Sequence, residues 1–190
     1  MRTKVTVLIP THNHGATLGF AVESVLRQSM QEFELLIVGD GISDEGRSIS
    51  KDYCEKDERI KFFDNPKGPR HGERFRHKAL QEARGEIVCY LADDDIWLSH
   101  HLQSMFVALA DVDFAHVIPA YILPNGELGV FGGDIRMPEY RELMRKGRNF
   151  VPLSSGPRCT NVLCIASISL LDDCKVKSTI PAIPHILFSS

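Results

Sequence analysis

Apolar and polar positions in the first 120 residues alternate between two periods. Lys4–Pro10 is almost continuously apolar and rich in β-branched residues, which predicts a strand buried on both faces. Leu18, Ala21, Val22, Val25 and Leu26 then recur at the spacing of one helix face, predicting a helix over Leu18–Ser29. Phe33–Val38 is a second buried strand. Ser43–Asp57 is a more polar helix with Ile49 and Tyr53 one turn apart. Arg59–Phe63 is a third strand, and Glu73–Arg84 a helix with Phe75, Ala79, Leu80 and Ala83 inward. Glu86–Leu91 is a fourth strand. Leu98–Leu109 is a helix with Leu98, Leu102, Met105, Phe106 and Leu109 on one face, and Asp113–Leu123 opens as a fifth strand.

Strands alternating with such helices imply βαβ crossovers, hence an α/β fold with a mainly parallel sheet covered on both faces. Sheets of this kind bind ligands at the carboxyl ends of their strands. The segments to inspect are therefore Thr11-His12-Asn13, Gly39-Asp40-Gly41 and Ala92-Asp93-Asp94-Asp95. Beyond residue 123 the pattern weakens. Pro124–Gly133 reads as a turn and short hairpin, and Pro138–Lys146 as a short basic helix. From Asn149 to Ser190, Ser and Pro rise and periodicity is weak. Two regions are expected, 1–148 as the binding domain and 149–190 as an atypical tail.

Composition narrows the class. With 190 residues, 43% hydrophobic and 25% charged, the chain suits one domain with a substantial core. A net charge of −3 argues against a generic nucleic-acid binder. The charge is unevenly spread: residues 85–134 hold eight carboxylates and neither Lys nor Arg, which prompts a search for a cation site. The apolar start does not read as a signal peptide. The apolar, uncharged run Val162–Leu171 has about half the length of a membrane span, leaving only peripheral membrane association open. Five scattered cysteines without a CxxC pair indicate neither a disulfide framework nor a zinc ribbon, so a cytoplasmic location is expected.

Three segments carry candidate chemistry. Adjacent Asp93, Asp94 and Asp95 repel one another unless solvated or bound to a cation, and Mg²⁺ or Mn²⁺ takes carboxylates together with substrate phosphates. A strand-like run would aim Asp93 and Asp95 the same way, a bend would turn Asp94 to the metal, and the plain alternative is an acidic turn in which Asp95 caps the next helix. Asp40 lies between two glycines and is suited to accept from a nucleobase N–H or a ribose hydroxyl; its plain alternative is a turn or cap carboxylate. Lys67, Arg70, Arg74, Arg76, Lys78 and Arg84 form a basic stretch, and Arg70, in a Pro/Gly-flanked loop, is the first choice for a diphosphate. No histidine has metal spacing with a second ligand. Cys89 is expected in the core and Trp97 beneath the acidic loop.

Together these segments resemble the family 2 glycosyltransferases with the GT-A fold, over about residues 3–123. Val5–Asn13 looks like the family's opening strand and "P-T-x-N". Leu18–Ser29 looks like "L-x-x-A-x-x-S-V-L-x-Q", Leu36–Asp44 (LIVGDGISD) like "VVDDGSTD", and Arg76–Trp97 like "RNxGIxxARGEYIxFLDADD". The resemblance implies a three-layer, Rossmann-like α/β/α sandwich that transfers a sugar from a nucleotide-diphosphate donor to an acceptor hydroxyl, usually with inversion, in polysaccharide biosynthesis. It assigns Pro10, Thr11, Asn13, Asp40, Arg70 and Asp93 to the nucleotide, and Asp94 and Asp95 to Mn²⁺ or Mg²⁺, with Asp94 leading. The acceptor would be a saccharide, a lipid-linked sugar or a protein. Gly39 and Ala92 stand where the family often has Asp. The family's acidic motif several dozen residues past the metal site has no match: Asp134, Asp172 and Asp173 are the only aspartates beyond residue 123, so the catalytic base is not identified. A catalytically incomplete, nucleotide-sugar-binding domain is the alternative.

Overall fold

The computed structural model of the chain describes residues 2–69 and 71–117, short strands at 120–122, 128–130 and 163–165, and helical positions 138 and 142. Strands β1 (Val5–Thr11), β2 (Phe33–Gly39), β3 (Ile60–Phe63) and β4 (Ile87–Tyr90) alternate with helices α1 (Gly15–Leu26), α2 (Asp44–Lys56) and α3 (Glu73–Leu80). Helix α4 (His101–Ala108) follows, then β5 (Phe114–His116), β6 (Ala120–Ile122), β7 (Leu128–Val130) and β8 (Leu163–Ile165). The main sheet has the order β3-β2-β1-β4-β8-β5, and β1 to β4 run parallel.

Both faces of the parallel strands are buried, which is why they read as continuous apolar runs. Val5, Val7, Ile9, Leu35, Ile37 and Cys89 face one way. They pack with Leu18, Ala21, Val22 and Val25 of α1, Leu102 and Met105 of α4, and the inner edge of α2. Leu8, Leu36, Val38 and Val88 face the other way, onto Ala79 and Leu80 of α3. Three layers result. Ser43 caps α2 by accepting from the Gly46 amide.

The start of β4 is fixed by a buried polar cluster. Glu34 is 1% exposed and accepts from Thr6 Oγ1 at 2.8 Å, from Arg84 Nε at 2.9 Å and from the Arg84 amide. The Gly85 amide donates to Thr6 Oγ1, and a Cβ at Gly85 would lie 2.3 Å from the Thr6 nitrogen, so only glycine allows this approach.

Several boundaries differ from the sequence expectation. Helix α3 stops at Leu80 instead of Arg84, because the Arg84 amide is taken by Glu34. The last helix starts at His101, and Leu98 is 72% exposed instead of inward. Residues 97–99 spend their backbone groups on α1 and its end: Trp97 N donates to Ser24 Oγ, Leu98 O accepts from Gln28 Nε2, and Ser99 O accepts from Ser29 N. The expected fifth strand is observed as two, β5 in the main sheet and β6 in a separate two-stranded sheet. Strands β6 and β7 pair antiparallel; β7 lies within the expected turn-and-hairpin segment 124–133, whereas β6 precedes it. The weakly patterned segment after 149 supplies β8, which lies antiparallel between β4 and β5. Positions 138 and 142 are helical, and the rest of the expected basic helix lies outside the described residues.

Buried His101 stacks on Trp97 with ring centroids 4.3 Å apart, and its Nε2 has no hydrogen-bond partner. Burial, and then the neighbouring His100 charge, push its pKa from 6.5 down to about 4. The unfolded chain therefore takes up the proton first. Stability contributed by neutral His101 is complete above pH 6.5 and falls by about 3 kcal/mol as pH drops to 4. His101→Phe should flatten that part of the profile, measured by urea unfolding across this range. In the same assay at pH 7, Glu34→Gln should cost about 2 kcal/mol. Glu86→Gln, which loses only an exposed pair with Arg2, should change stability by less than about 0.5 kcal/mol.

Candidate functional site

Strand register brings three chain segments to one level at the carboxyl edge. Thr11 pairs with Gly39 in β2, and the Asp40 amide donates to Thr11 O at 3.0 Å. The β1–β4 pairing ends at Leu8 opposite Tyr90, and the chain then bends, so that Asp93 Oδ2 accepts from the His12 amide at 3.4 Å. Asn65 ties in the loop after β3: its side chain donates to Gly39 O, and its carbonyl accepts from the Gly41 amide.

These segments and the loop before α3 enclose a cleft of about 230 Å³. Pro10, Thr11, His12, His14 and Asp93 line it together with Val38, Asp40, Lys67, His71, Gly72 and Arg76. Thr11 Oγ1 is buried without a hydrogen-bond partner. A buried, unmatched hydroxyl in a polar cleft is a natural point of contact for a polar ligand.

Asp40 is 7% exposed. One carboxylate oxygen accepts from Gly68 N at 2.6 Å, and the other from Lys67 Nζ. Burial pushes its pKa up, but the Lys67 and Gly68 hydrogen bonds, with the Lys67 and His12 charges, outweigh this and hold it below the usual carboxylate value. Asp40 is thus a buried, ionised acceptor. It does not cap α2, where Ser43 serves.

The acidic run forms a turn after β4. His14 Nδ1 lies 2.9 Å from Asp93 Oδ1, and the hydrogen bond and charge of Asp93 raise the His14 pKa. His14, Asp93 and Asp94 each offer one ligand atom, all within 4.8 Å of one another. Asp95 is outside this group and does not cap α4, whose N-cap position is His100.

Of the residues expected at the site, Pro10, Thr11, Asp40 and Asp93 line the cleft, and Asp94 joins the cluster beside it. Asn13 is exposed and does not line the cleft. Arg70, Asp134, Asp172 and Asp173 lie outside the described residues. Cys89 is a core residue, as expected, and Trp97 also belongs to the core cluster. Sequence spacing missed His14, because its partners are 79 and 80 positions away. The usable signal was its place in the turn after β1, at the same edge as the acidic run. Lys67 and Arg76 were visible only as members of a basic stretch.

Residues 6–174 match the family profile described as "Glycosyl transferase family 2". A "GalNAc(5)-diNAcBac-PP-undecaprenol beta-1,3-glucosyltransferase" of Campylobacter jejuni is 32% identical over 114 residues, which is 60% of this chain and 37% of that protein. A "UDP-Glc:alpha-D-GlcNAc-diphosphoundecaprenol beta-1,3-glucosyltransferase" of Escherichia coli is 31% identical over 52% of this chain and 38% of its own length. The chain thus spans well under half the length of these relatives. Among solved structures, S. aureus TarS 1-349 in complex with UDP-GlcNAc aligns with a TM-score of 0.51 and 27% identity, over 59% of this chain and 33% of that one. The mannosyltransferase PcManGT from Pyrobaculum calidifontis, in complex with GDP-Man and Mn²⁺, aligns at 0.53 and 22% identity over 80% of this chain and 48% of that one, a likeness of fold alone. The sandwich is the GT-A fold of these enzymes, and the chain belongs to glycosyl transferase family 2.

Proposed function

We propose that the chain binds a nucleotide-diphosphate sugar at the carboxyl edge of its sheet and transfers the sugar, with inversion, to an acceptor hydroxyl. The observation that carries this reading is the cleft itself. It joins a buried ionised acceptor, Asp40, and an unmatched hydroxyl, Thr11, to a cluster of two carboxylates and an imidazole. Thr11, Asp40 and Pro10 would hold the nucleoside, with Arg76 and Arg70 near the diphosphate. The printed names of the two bacterial relatives, one with PP-undecaprenol and the other with diphosphoundecaprenol, support a lipid-linked sugar as acceptor. A cytoplasmic site of action is proposed with it; no helix among the described residues is long and apolar enough to cross a membrane.

The donor set of His14, Asp93 and Asp94 fits Mn²⁺, which accepts imidazole beside carboxylate, better than Mg²⁺, which prefers oxygen alone. When bound, the cation would neutralise diphosphate charge and stabilise the departing nucleotide. Asp94 is the leading ligand because it is exposed and lies beside both other donors. Asp93, nearly buried and fixed by the His12 amide and His14, would orient that imidazole. To act as a ligand, His14 needs one ring nitrogen free of a proton, because a metal and a proton compete for the same nitrogen.

A second reading, a nucleotide-sugar-binding part that lacks its own base, is favoured by the short span relative to the first relatives. Turnover separates the two: hydrolysis or transfer by the isolated chain supports the complete enzyme, and binding without turnover supports the incomplete one. Titration calorimetry with UDP, GDP and dTDP, with and without Mn²⁺, should show at least one nucleotide binding about tenfold or more tightly with the ion. Asp94→Asn should remove that gain and leave metal-free binding nearly unchanged. No binding at millimolar concentration by any of the three would overturn the proposal.

A further inference from the structure

Asp40 does not present a bare carboxylate to the cleft. Lys67 Nζ sits against Oδ2, so an ammonium donor and a carboxylate acceptor stand side by side on the cleft wall. The backbone holds this pair in position. Gly41 has φ 67°, and a Cβ there would lie 2.7 Å from Lys67 Cβ; Gly72 has φ 72°, and a Cβ there would lie 2.9 Å from Asp40 Cγ. The Gly68 amide fixes the second carboxylate oxygen. Chain and carboxylate therefore meet at closest approach, and larger residues at these glycines would push the two side chains apart. Asp40 is buried, whereas the Lys67 side chain is 48% exposed, so the lysine is the more accessible member of the pair.

A donor beside an acceptor selects between base edges. Uracil offers N3–H next to a carbonyl oxygen, which complements a carboxylate next to an ammonium. Cytosine offers a bare N3 next to an N4 amino group. Its lone pair would face the carboxylate and its amino hydrogens the ammonium, two mismatches in one edge. We propose that Lys67 is a specificity-determining residue of this site. With Asp40 it forms a pair that accepts bases carrying N–H beside C=O and refuses the amino-substituted edge. Thymine and guanine share the accepted edge with uracil, and adenine shares the refused one. The inference rests on the nucleotide-diphosphate reading above and adds the residue that reads the base.

The test compares UDP with CDP, which differ at this edge and not in size. Calorimetry with wild-type protein and Mn²⁺ should give UDP an advantage of at least about tenfold. Lys67→Met keeps the aliphatic stem beside Gly41 and removes the donor. It should bring the two nucleotides to within about threefold, by weakening UDP while CDP holds or gains. Lys67→Arg, which restores a donor, should recover the preference. Equal wild-type affinities would overturn the inference. So would an unchanged UDP-to-CDP ratio in Lys67→Met with both affinities reduced, the mark of a merely structural lysine. If wild-type protein binds no nucleotide at all, the nucleotide-sugar reading itself fails, and the two failures are thus told apart.

Discussion

The structure depends on the burial of both faces of a short parallel sheet. Leu8, Ile9, Leu35, Leu36 and Ile37 are fully buried, and each lies in a strand with helices on either side. Burial of such side chains contributes roughly 2 kcal/mol each and permits one register only, because a one-residue slip exchanges the two faces. Fixing register here also fixes the site. With Thr11 opposite Gly39 and Leu8 opposite Tyr90, the ends of β1, β2 and β4 stop at one edge, and the chain leaves each with polar residues.

The opposite end carries a different polar device. Glu34, Thr6, Arg84 and Gly85 are joined by hydrogen bonds that tie the start of β4 to β1 and β2. The role of this cluster is to hold the strand whose far end delivers Asp93. Polar groups at the carboxyl edge are arranged differently. Thr11 Oγ1 is unmatched, Asp40 is held ionised, and Asp93 is divided between the His12 amide and His14. Saturated hydrogen bonding at one edge and open valence at the other is what separates scaffold from site in this fold.

Much of this was legible in the sequence, since strands buried on both faces leave unmistakable apolar runs and α1 shows its inner stripe directly. The edge segments followed from those strands, so Thr11, Asp40 and Asp93 were found by position. What was not legible depends on contacts distant in the chain. Helix α4 begins late because α1 captures the backbone of residues 97–99. Three residues, Leu163–Ile165, complete the sheet between β4 and β5, a strand too short to show a period. His14 joins Asp93 only through folding, and the pairing of Lys67 with Asp40 spans 27 positions. Asp94, not Asp95, stands with the cluster because the chain bends after β4, a local turn that alternation could not reveal.

The converging ends of β1, β2 and β4 are proposed as the nucleotide site. Backbone amide NMR of the ¹⁵N-labelled chain, titrated with UDP and Mg²⁺ as a diamagnetic ion, tests it most directly. The largest shift changes are expected at Thr11, His12, Asp40, Gly41, Gly68, Asp93 and Asp94, with little change at Lys4, Glu32, Glu34 and Arg84 on the far edge. Shift changes centred on the far edge, or saturable binding that leaves the Thr11, Asp40 and Asp93 amides unmoved, would contradict it.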